Sequence, residues 1–113
     1  MKKIEAIIRT FKLDDVKDAL GRIGISGITV TEVRGVGRQW GRIEGMDMFS
    51  TAGNLMSKVK LEIIVPDRLV ELVLETIINS ARTGRPGDGK IFVMDVEEAV
   101  RIRTGEVGDE ACL

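Results

Sequence analysis

Histidine and tyrosine are absent from the chain, cysteine occurs once, proline twice, and aromatic residues make up 4 % of its 113 residues. Without histidine, imidazole catalysis and the commonest metal ligand are excluded. The lone Cys112 forms no internal disulfide and no cysteine-based zinc site. It stands second from the end, where an exposed thiol near a frayed terminus is expected. Neither sign of charge dominates: 17 Lys and Arg face 18 Asp and Glu, a net charge of −1. That balance offers no general attraction to nucleic acid or anionic membrane, so any anion site must be local. No run approaches 18 apolar residues, and the opening stretch MKKIEAIIRTF carries Glu5 and Arg9 where a signal peptide needs its apolar region. A soluble cytoplasmic protein without membrane insertion is expected, built as a single domain with a modest core over residues 1–113.

What the chain does contain is periodicity. Lys2 to Arg9 reads as a strand by its branched residues, and Phe11, Leu13, Val16, Leu20 and Ile23 lead into and follow an apolar stripe at helical spacing. Asp14 and Asp15 lie in the first turn of that helix, where acids suit the helix dipole. Gly24 and Gly27 break the chain, and Ile28 to Val36 is again strand-like, with Val30 alternating against Thr29 and Thr31. From Gly37 to Ser57 the periodicity disappears. Roughly 20 residues without structure are unusual inside a compact domain and mark a functional or disordered loop. Lys58 to Val65 resumes the alternation, Pro66 and Asp67 punctuate, and Leu69 to Ala81 is an amphipathic helix with Leu69, Val70, Val73, Leu74, Ile77 and Ile78 on its apolar face. Ile91 to Val96 makes the last strand. The order β-α-β-β-α-β predicts an α+β, ferredoxin-like fold: a four-stranded antiparallel sheet with both helices on one face. The other face needs cover, because Ile7 and Ile64 fall on the opposite side from Ile8 and Ile63. Self-association through an aliphatic sheet face is expected.

The stretch TGRPGDGKI, residues 83 to 91, nearly spells the phosphate-cradling G-x-x-x-x-G-K-[ST] loop, with Gly84, Gly89 and Lys90 in place. Two features break the match. Ile91 stands where a hydroxyl would hold magnesium, and here the loop follows a helix and precedes a strand, the reverse of the P-loop order. Gly84, Gly87 and Gly89 could still form a concave run of main-chain N–H groups, with Lys90, Arg82 and Arg85 supplying positive charge. A plain helix-to-strand turn whose glycines supply positive φ explains the same pattern. Arg101-Ile102-Arg103 lies a few residues beyond the last strand, where extended backbone would put both guanidinium groups on one face, suited to phosphate oxygens. A surface pair of solvated arginines is the competing reading. Loop and arginines together suggest a polyphosphate.

TGRPGDGKIFV and EEAVRIRTGE, with MKKIEAIIR at the start, GITVTEVRGVGRQ in the middle and KVKLEIIVPD after the long loop, resemble the PII family of nitrogen-regulatory signal-transduction proteins, without a gap over nearly the whole chain. The resemblance implies a homotrimer that is not primarily an enzyme. Such a trimer binds ATP or ADP in three clefts between subunits, takes 2-oxoglutarate beside Mg-ATP, and docks its long T-loop (37–57) onto a target protein such as a transporter, enzyme or regulator. It also implies a phosphate-binding B-loop (82–90) and a C-terminal segment (97–113) that reaches a neighbouring subunit. By matching position, Gly87, Asp88, Gly89 and Lys90 would hold phosphates, joined by Arg101 and Arg103 from the neighbour. Thr29, Glu62 and Ile64 would surround the adenine, with Gly35, Gly37 and Arg38 as the wall at the base of the T-loop. Gln39 would help hold Mg2+ beside 2-oxoglutarate, with Gly87 alongside. Lys58 would pair with the ligand's carboxylate or with Glu62. Magnesium prefers oxygen ligands supplied largely by phosphate and water, so a single Gln oxygen and a chelating keto-acid complete its shell. Ile91 is then no defect.

The T-loop departs from the family pattern. Where many bacterial members carry a tyrosine that is uridylylated, residues 46 to 51 read MDMFST, and no tyrosine exists to modify. The position of a phosphorylated loop serine in other members is Phe49 here, and Ser50 beside it is a weak substitute. Asp47 reverses the basic charge of members that plug ammonium channels, which puts that target in doubt. Instead the loop offers Met46, Met48, Phe49, Leu55 and Met56, with Trp40 nearer its base. These suit an adaptable docking surface, or they fold back onto the protein's own surface.

Three other classes compete. A nucleotide hydrolase requires a positioned base or water-orienting group, and Gln39 or Asp88 would support slow hydrolysis at most. An RNA-recognition module shares the element order but stacks bases on aromatic residues of its middle strands, which are missing here. A trimeric metal-tolerance protein wants histidines or several cysteines. An adenine-nucleotide sensor serving a non-nitrogen partner, without a 2-oxoglutarate response, is the nearer alternative.

Overall fold

A computed structural model describes residues 1–36 and 55–113. Strand β1 (Lys2–Arg9) runs through a 3-10 turn into helix α1 (Leu13–Arg22), followed by β2 (Thr29–Gly35), β3 (Met56–Val65), α2 (Val70–Ala81), β4 (Lys90–Asp95) and the short α3 (Asp109–Cys112). The four strands form one sheet in the order β2-β3-β1-β4, every neighbouring pair antiparallel. The ferredoxin-like arrangement is therefore present, with β1 and β3 as the central strands.

The core follows from period-two alternation. Ile4, Ala6 and Ile8 on β1 and Val59, Leu61, Ile63 and Val65 on β3 are buried against Val16 and Leu20 of α1 and Val73, Ile77 and Ala81 of α2. Each such aliphatic side chain contributes about 1.5–3 kcal/mol on leaving water. Helix α1 begins with Asp14 and Asp15 and ends with Arg22, charges that complement its dipole. It stops in a Schellman motif: Gly24 at φ +88° donates to the Gly21 carbonyl, and Ile25 donates to that of Leu20.

Element boundaries shift by one or two residues from the periodicity. The largest shift is at the long loop, expected to extend to Ser57: Gly35 pairs with Met56 and Arg34 with Ser57, so the ladder carries β3 two residues further back.

The helix-free sheet face is not aliphatic as expected. Lys3 and Glu5 on β1 and Lys60 and Glu62 on β3 occupy its middle, with Ile7, Ile64, Phe92 and Met94 around them. The Lys3 ammonium lies 2.6 Å from the Glu62 carboxylate and 3.7 Å from Glu5, and Lys60 is 3.9 Å from Glu62. In the middle of that face two ammonium groups thus balance two carboxylates. The hydrogen bond from Lys3 holds the Glu62 carboxyl below its ordinary range and pushes the Lys3 ammonium up. The middle strands carry no aromatic residue, as expected, and Phe92 is on the edge strand β4.

The C-terminal segment also differs. Arg101-Ile102-Arg103 is not extended: Val100 bridges to Val107, and residues 102–104 form a turn closed by hydrogen bonds from Arg101 N–H to the Glu106 carbonyl and from Gly105 N–H to the Arg101 carbonyl. The same-face argument for the two arginines therefore fails, because a tight turn sends successive side chains around its rim. Cys112 is half-buried in α3, its thiol donating to the Asp109 carbonyl at 3.3 Å. Burial and the nearby Asp109 push the thiol's pKa up.

Candidate anion-binding site

Between α2 and β4, residues 82–90 form a loop held from within by one carboxylate. Asp88 accepts from the Thr83 N–H at 2.9 Å, the Thr83 hydroxyl, the Gly84 N–H at 2.9 Å and the Arg9 Nε–H at 3.1 Å. Burial alone would raise the Asp88 pKa. The Thr83 and Gly84 donors and the Arg9 guanidinium outweigh it and hold the carboxyl well below the usual aspartate range. Arg9 also donates from Nη2 to the Pro86 carbonyl at 2.7 Å, tying the loop to the end of β1.

Sequence gives the loop its shape through glycine. Gly84, Gly87 and Gly89 all have positive φ, so the plain-turn reading is correct as far as it goes. Gly89 is the strictest: at φ +98° a Cβ there would lie 1.7 Å from the Ile7 carbonyl oxygen. The same geometry has a chemical result. The Thr83, Gly84 and Arg85 N–H groups are satisfied inside the loop, whereas those of Gly87, Asp88 and Gly89 donate to no protein group among the described residues. Two left-handed glycines flanking one residue turn these N–H groups into a concave nest with partial positive charge, and Lys90 adds a full one.

A second cation sits behind the nest. Register places Arg9 opposite Lys58, and the buried Lys58 ammonium donates to the Gly87 carbonyl. Desolvation pushes the Lys58 pKa down, Arg9 adds to that shift, and Asp88 opposes it. An ammonium carries three donors, so Lys58 retains capacity for an incoming carboxylate or phosphate. Within one copy Lys58 and Glu62 are about 13 Å apart along β3 and do not pair, and Glu62 is engaged by Lys3. Beside Lys58, an open cavity of about 400 Å³ is lined by Thr10, Glu32, Val33, Arg34 and Ser57.

Among the sequence-derived site residues, Gly87, Asp88, Gly89, Lys90 and Lys58 come together at one end of the sheet. The Asp88 side chain faces into the loop, leaving its main chain to the nest. Thr29 and Glu62 are cross-strand partners, with Ile64 two positions further along β3 on the same face, and Gly35 ends β2 near Met56. Arg101 and Arg103 are not with the glycine loop. Strand β4 leaves the loop at Lys90 beside Ile7 and ends at Asp95 beside Lys2, a rise of about 17 Å over five residues. Val96 then donates to the Met1 carbonyl. Arg101 stays at that far end, bound to α3, whose Cys112 feels the charges of the Met1 amino group and Arg68, and Arg103 follows in the same turn. Gly37, Arg38, Gln39, Met46, Asp47, Met48 and Phe49 lie outside the described residues. The sequence reading missed Arg9 and Thr83. Thr83 was legible as the first residue of TGRPGDG, but Arg9 becomes adjacent to Lys58 only through strand register.

The arrangement suits a phosphate or carboxylate: an Asp-braced nest, Lys90 at its edge, and the Arg9 and Lys58 cations behind. Among the described residues no cluster of carboxylates, cysteines or histidines could hold a metal ion by itself, so a divalent cation here would depend on ligand oxygens. Comparison with known proteins places the chain in a family. The family model described as nitrogen regulatory protein P-II matches residues 1–106. The chain is similar to nitrogen regulatory protein P-II of Haemophilus influenzae, 57 % identical over 111 residues covering 98 % of this chain and 99 % of that protein. It is likewise similar to P-II 1 of Escherichia coli K12, at 55 % over the same shares. Among solved structures, Arabidopsis thaliana PII bound to citrate superposes with a TM-score of 0.79 at 43 % identity, over 97 % of this chain and 90 % of that one. The chain belongs to the P-II family of nitrogen regulatory signal-transduction proteins.

Proposed function

We propose that the protein acts as a homotrimer that binds ATP or ADP in clefts between copies, takes 2-oxoglutarate with Mg2+ beside ATP, and signals their occupancy to a target protein through the long loop that ends where β3 begins at Met56. The observation that carries this reading is the separation of two cationic groups on one chain. The nest at Gly87–Lys90 and the pair Arg101 and Arg103 lie at opposite ends of a strand about 17 Å long, too far to grip one phosphate chain together. A second copy would supply the missing end. The sheet face with its balanced Lys3, Glu5, Lys60 and Glu62 is the surface through which copies would associate.

Within one copy, the Gly87, Asp88 and Gly89 N–H groups and Lys90 would orient phosphate oxygens. Thr29, Glu62 and Ile64 would frame the base, with Gly35, Gly37 and Arg38 closing the cleft. Lys58 and Arg9 would neutralise a carboxylate next to Gly87, and Gln39 would supply an oxygen to the magnesium that ATP and 2-oxoglutarate chelate. The citrate in the Arabidopsis relative supports small carboxylates as ligands of this fold. A second reading, an adenine-nucleotide sensor for a non-nitrogen partner without a 2-oxoglutarate response, draws on MDMFST at residues 46 to 51, where Asp47 and the missing tyrosine depart from the family pattern.

Titration calorimetry separates the two. With Mg2+ present, ATP and 2-oxoglutarate should each tighten the other's binding by the same factor, as linkage requires. Lys58→Met should abolish the enhancement while ATP alone still binds within about threefold, because Lys58 meets the nest only through the Gly87 carbonyl and leaves its N–H groups to the phosphates. ATP binding indifferent to 2-oxoglutarate would favour the second reading. Pull-down with and without residues 43–54 would then identify the partner.

A further inference from the structure

The last 13 residues close on Arg101. Its Nη2 donates to the Glu110 carbonyl at 3.0 Å and to the Leu113 main-chain oxygen at 2.6 Å, and Nη1 lies 3.9 Å from the Glu106 carboxylate. Glu106 also accepts from the Thr104 hydroxyl at 2.8 Å. The guanidinium thus caps the carbonyl end of α3, where a cation is favoured. A further bond, from Gly108 N–H to the Ala99 carbonyl at 3.0 Å, returns the segment to the start of the turn. Gly108 holds φ +73° and ψ −145°, a conformation almost restricted to glycine.

This arrangement conflicts with the binding role given to Arg101. A guanidinium grips phosphate or carboxylate with two parallel N–H bonds, from Nη1 with Nη2 or from Nε with Nη2. Nη2 belongs to both faces, and both of its hydrogens are directed to Glu110 and Leu113. Arg101 therefore cannot form either fork until it releases the C-terminal helix. Arg103, in the same turn, makes no hydrogen bond or ion pair among the described residues and is ready without rearrangement.

Resting on the reading of Arg101 as a phosphate ligand for a neighbouring copy, we propose that α3 is an autoinhibitory latch: its carbonyls compete with the nucleotide's phosphates for Arg101, so nucleotide binding releases α3. The device is reciprocal. Weakening the latch tightens nucleotide binding, and a phosphate on Arg101 loosens the C-terminus.

Cys112 is the chain's single thiol and lies inside α3, which makes it a reporter of the latch. The test measures the rate of Cys112 labelling by an aromatic disulfide reagent, together with ATP affinity, for the full-length chain and for Gly108→Ala, Ala111→Pro and Arg101→Ala. Gly108→Ala strains the entry to α3, and Ala111→Pro removes its N–H bond to Gly108; neither touches the core. Saturating ATP with Mg2+ should speed labelling of the parent by about fivefold or more, the lower range of ordinary coupling. Gly108→Ala and Ala111→Pro should label fast without nucleotide and bind ATP tighter by a similar factor. Arg101→Ala should label fast but bind ATP more weakly. If Arg101→Ala weakens ATP binding while ATP leaves the labelling rate unchanged and the two α3 variants bind ATP as the parent does, the latch is refuted and the nucleotide reading stands. If the parent binds no ATP, both are refuted.

Discussion

Replacing Asp88 by asparagine tests the account of the glycine loop most directly. The carboxylate accepts four hydrogen bonds, from Thr83 twice, Gly84 and Arg9. Asparagine keeps one accepting oxygen and turns an NH2 group toward donors, so about two of the four are lost. A buried hydrogen bond to a charged group contributes about 1.5–3 kcal/mol. Asp88 is one-quarter exposed, so water recovers part of each, and about 1 kcal/mol apiece is the working value. Arg9 keeps its bond to the Pro86 carbonyl and is not left bare. The variant should lose about 2 kcal/mol, lowering Tm by roughly 8 °C for a chain of this size. The pH dependence gives the sharper signature. The folded-state pKa of Asp88 is depressed, so its contribution is fully present above the unfolded value of about 4 and is lost as pH falls toward the folded value. Urea denaturation at fixed protein concentration should give a parent-minus-variant difference that is flat from about pH 7 to 5. From about pH 4 downward it should narrow by up to about 1.4 kcal/mol per pH unit, and it should be nearly gone at about pH 2.5. A difference unchanged between pH 7 and 2.5 would mean that the carboxylate's charge does not brace the loop.

Three further outcomes are expected. Gly89→Ala should destabilise by about 3 kcal/mol or more, adding a clash with the Ile7 carbonyl to the cost of positive φ, while Gly84→Ala, with open space around it, should cost about 1 kcal/mol; urea denaturation of the pair separates steric from conformational cost. Lys3→Glu places three carboxylates, with Glu5 and Glu62, beside Lys60 in the middle of the open sheet face, and sedimentation should show weakened self-association if that face joins the copies. Arg103→Ala should weaken ATP binding about tenfold, the scale of one charge-assisted contact, without dissociating the oligomer; unchanged affinity in calorimetry would remove Arg103 from the site.

Legibility in the sequence divides along the range of the interactions. Alternation at Ile4, Ala6 and Ile8 and at Val59, Leu61, Ile63 and Val65, and the helical stripe through Val73 and Ile77, are local periodicities, and they fixed the element order and the burying face before any contact was known. Glycine at 84, 87 and 89 is equally local, because positive φ is a property of one residue. TGRPGDGKIFV, with EEAVRIRTGE and the strand stretches, carried the family, which the comparisons bear out.

Long-range pairings were not available to that reading. The uncovered sheet face was expected to be aliphatic because Ile7 and Ile64 point there, yet register sets Lys3 beside Glu62 between them, and register is a property of two strands. Arg9 became part of the site for the same reason. Arg101 was read as extended, but its conformation follows from a turn closed by Glu106 and a cap on carbonyls up to 12 residues away. Asp88, read as a phosphate ligand, turned its carboxylate inward to Thr83, Gly84 and Arg9. Residue type and spacing thus specify which backbone conformations and faces are possible. Which charges meet, and therefore which cations stay available to a ligand, depends on contacts between residues as far apart as Arg9 and Asp88, brought together by the folded sheet.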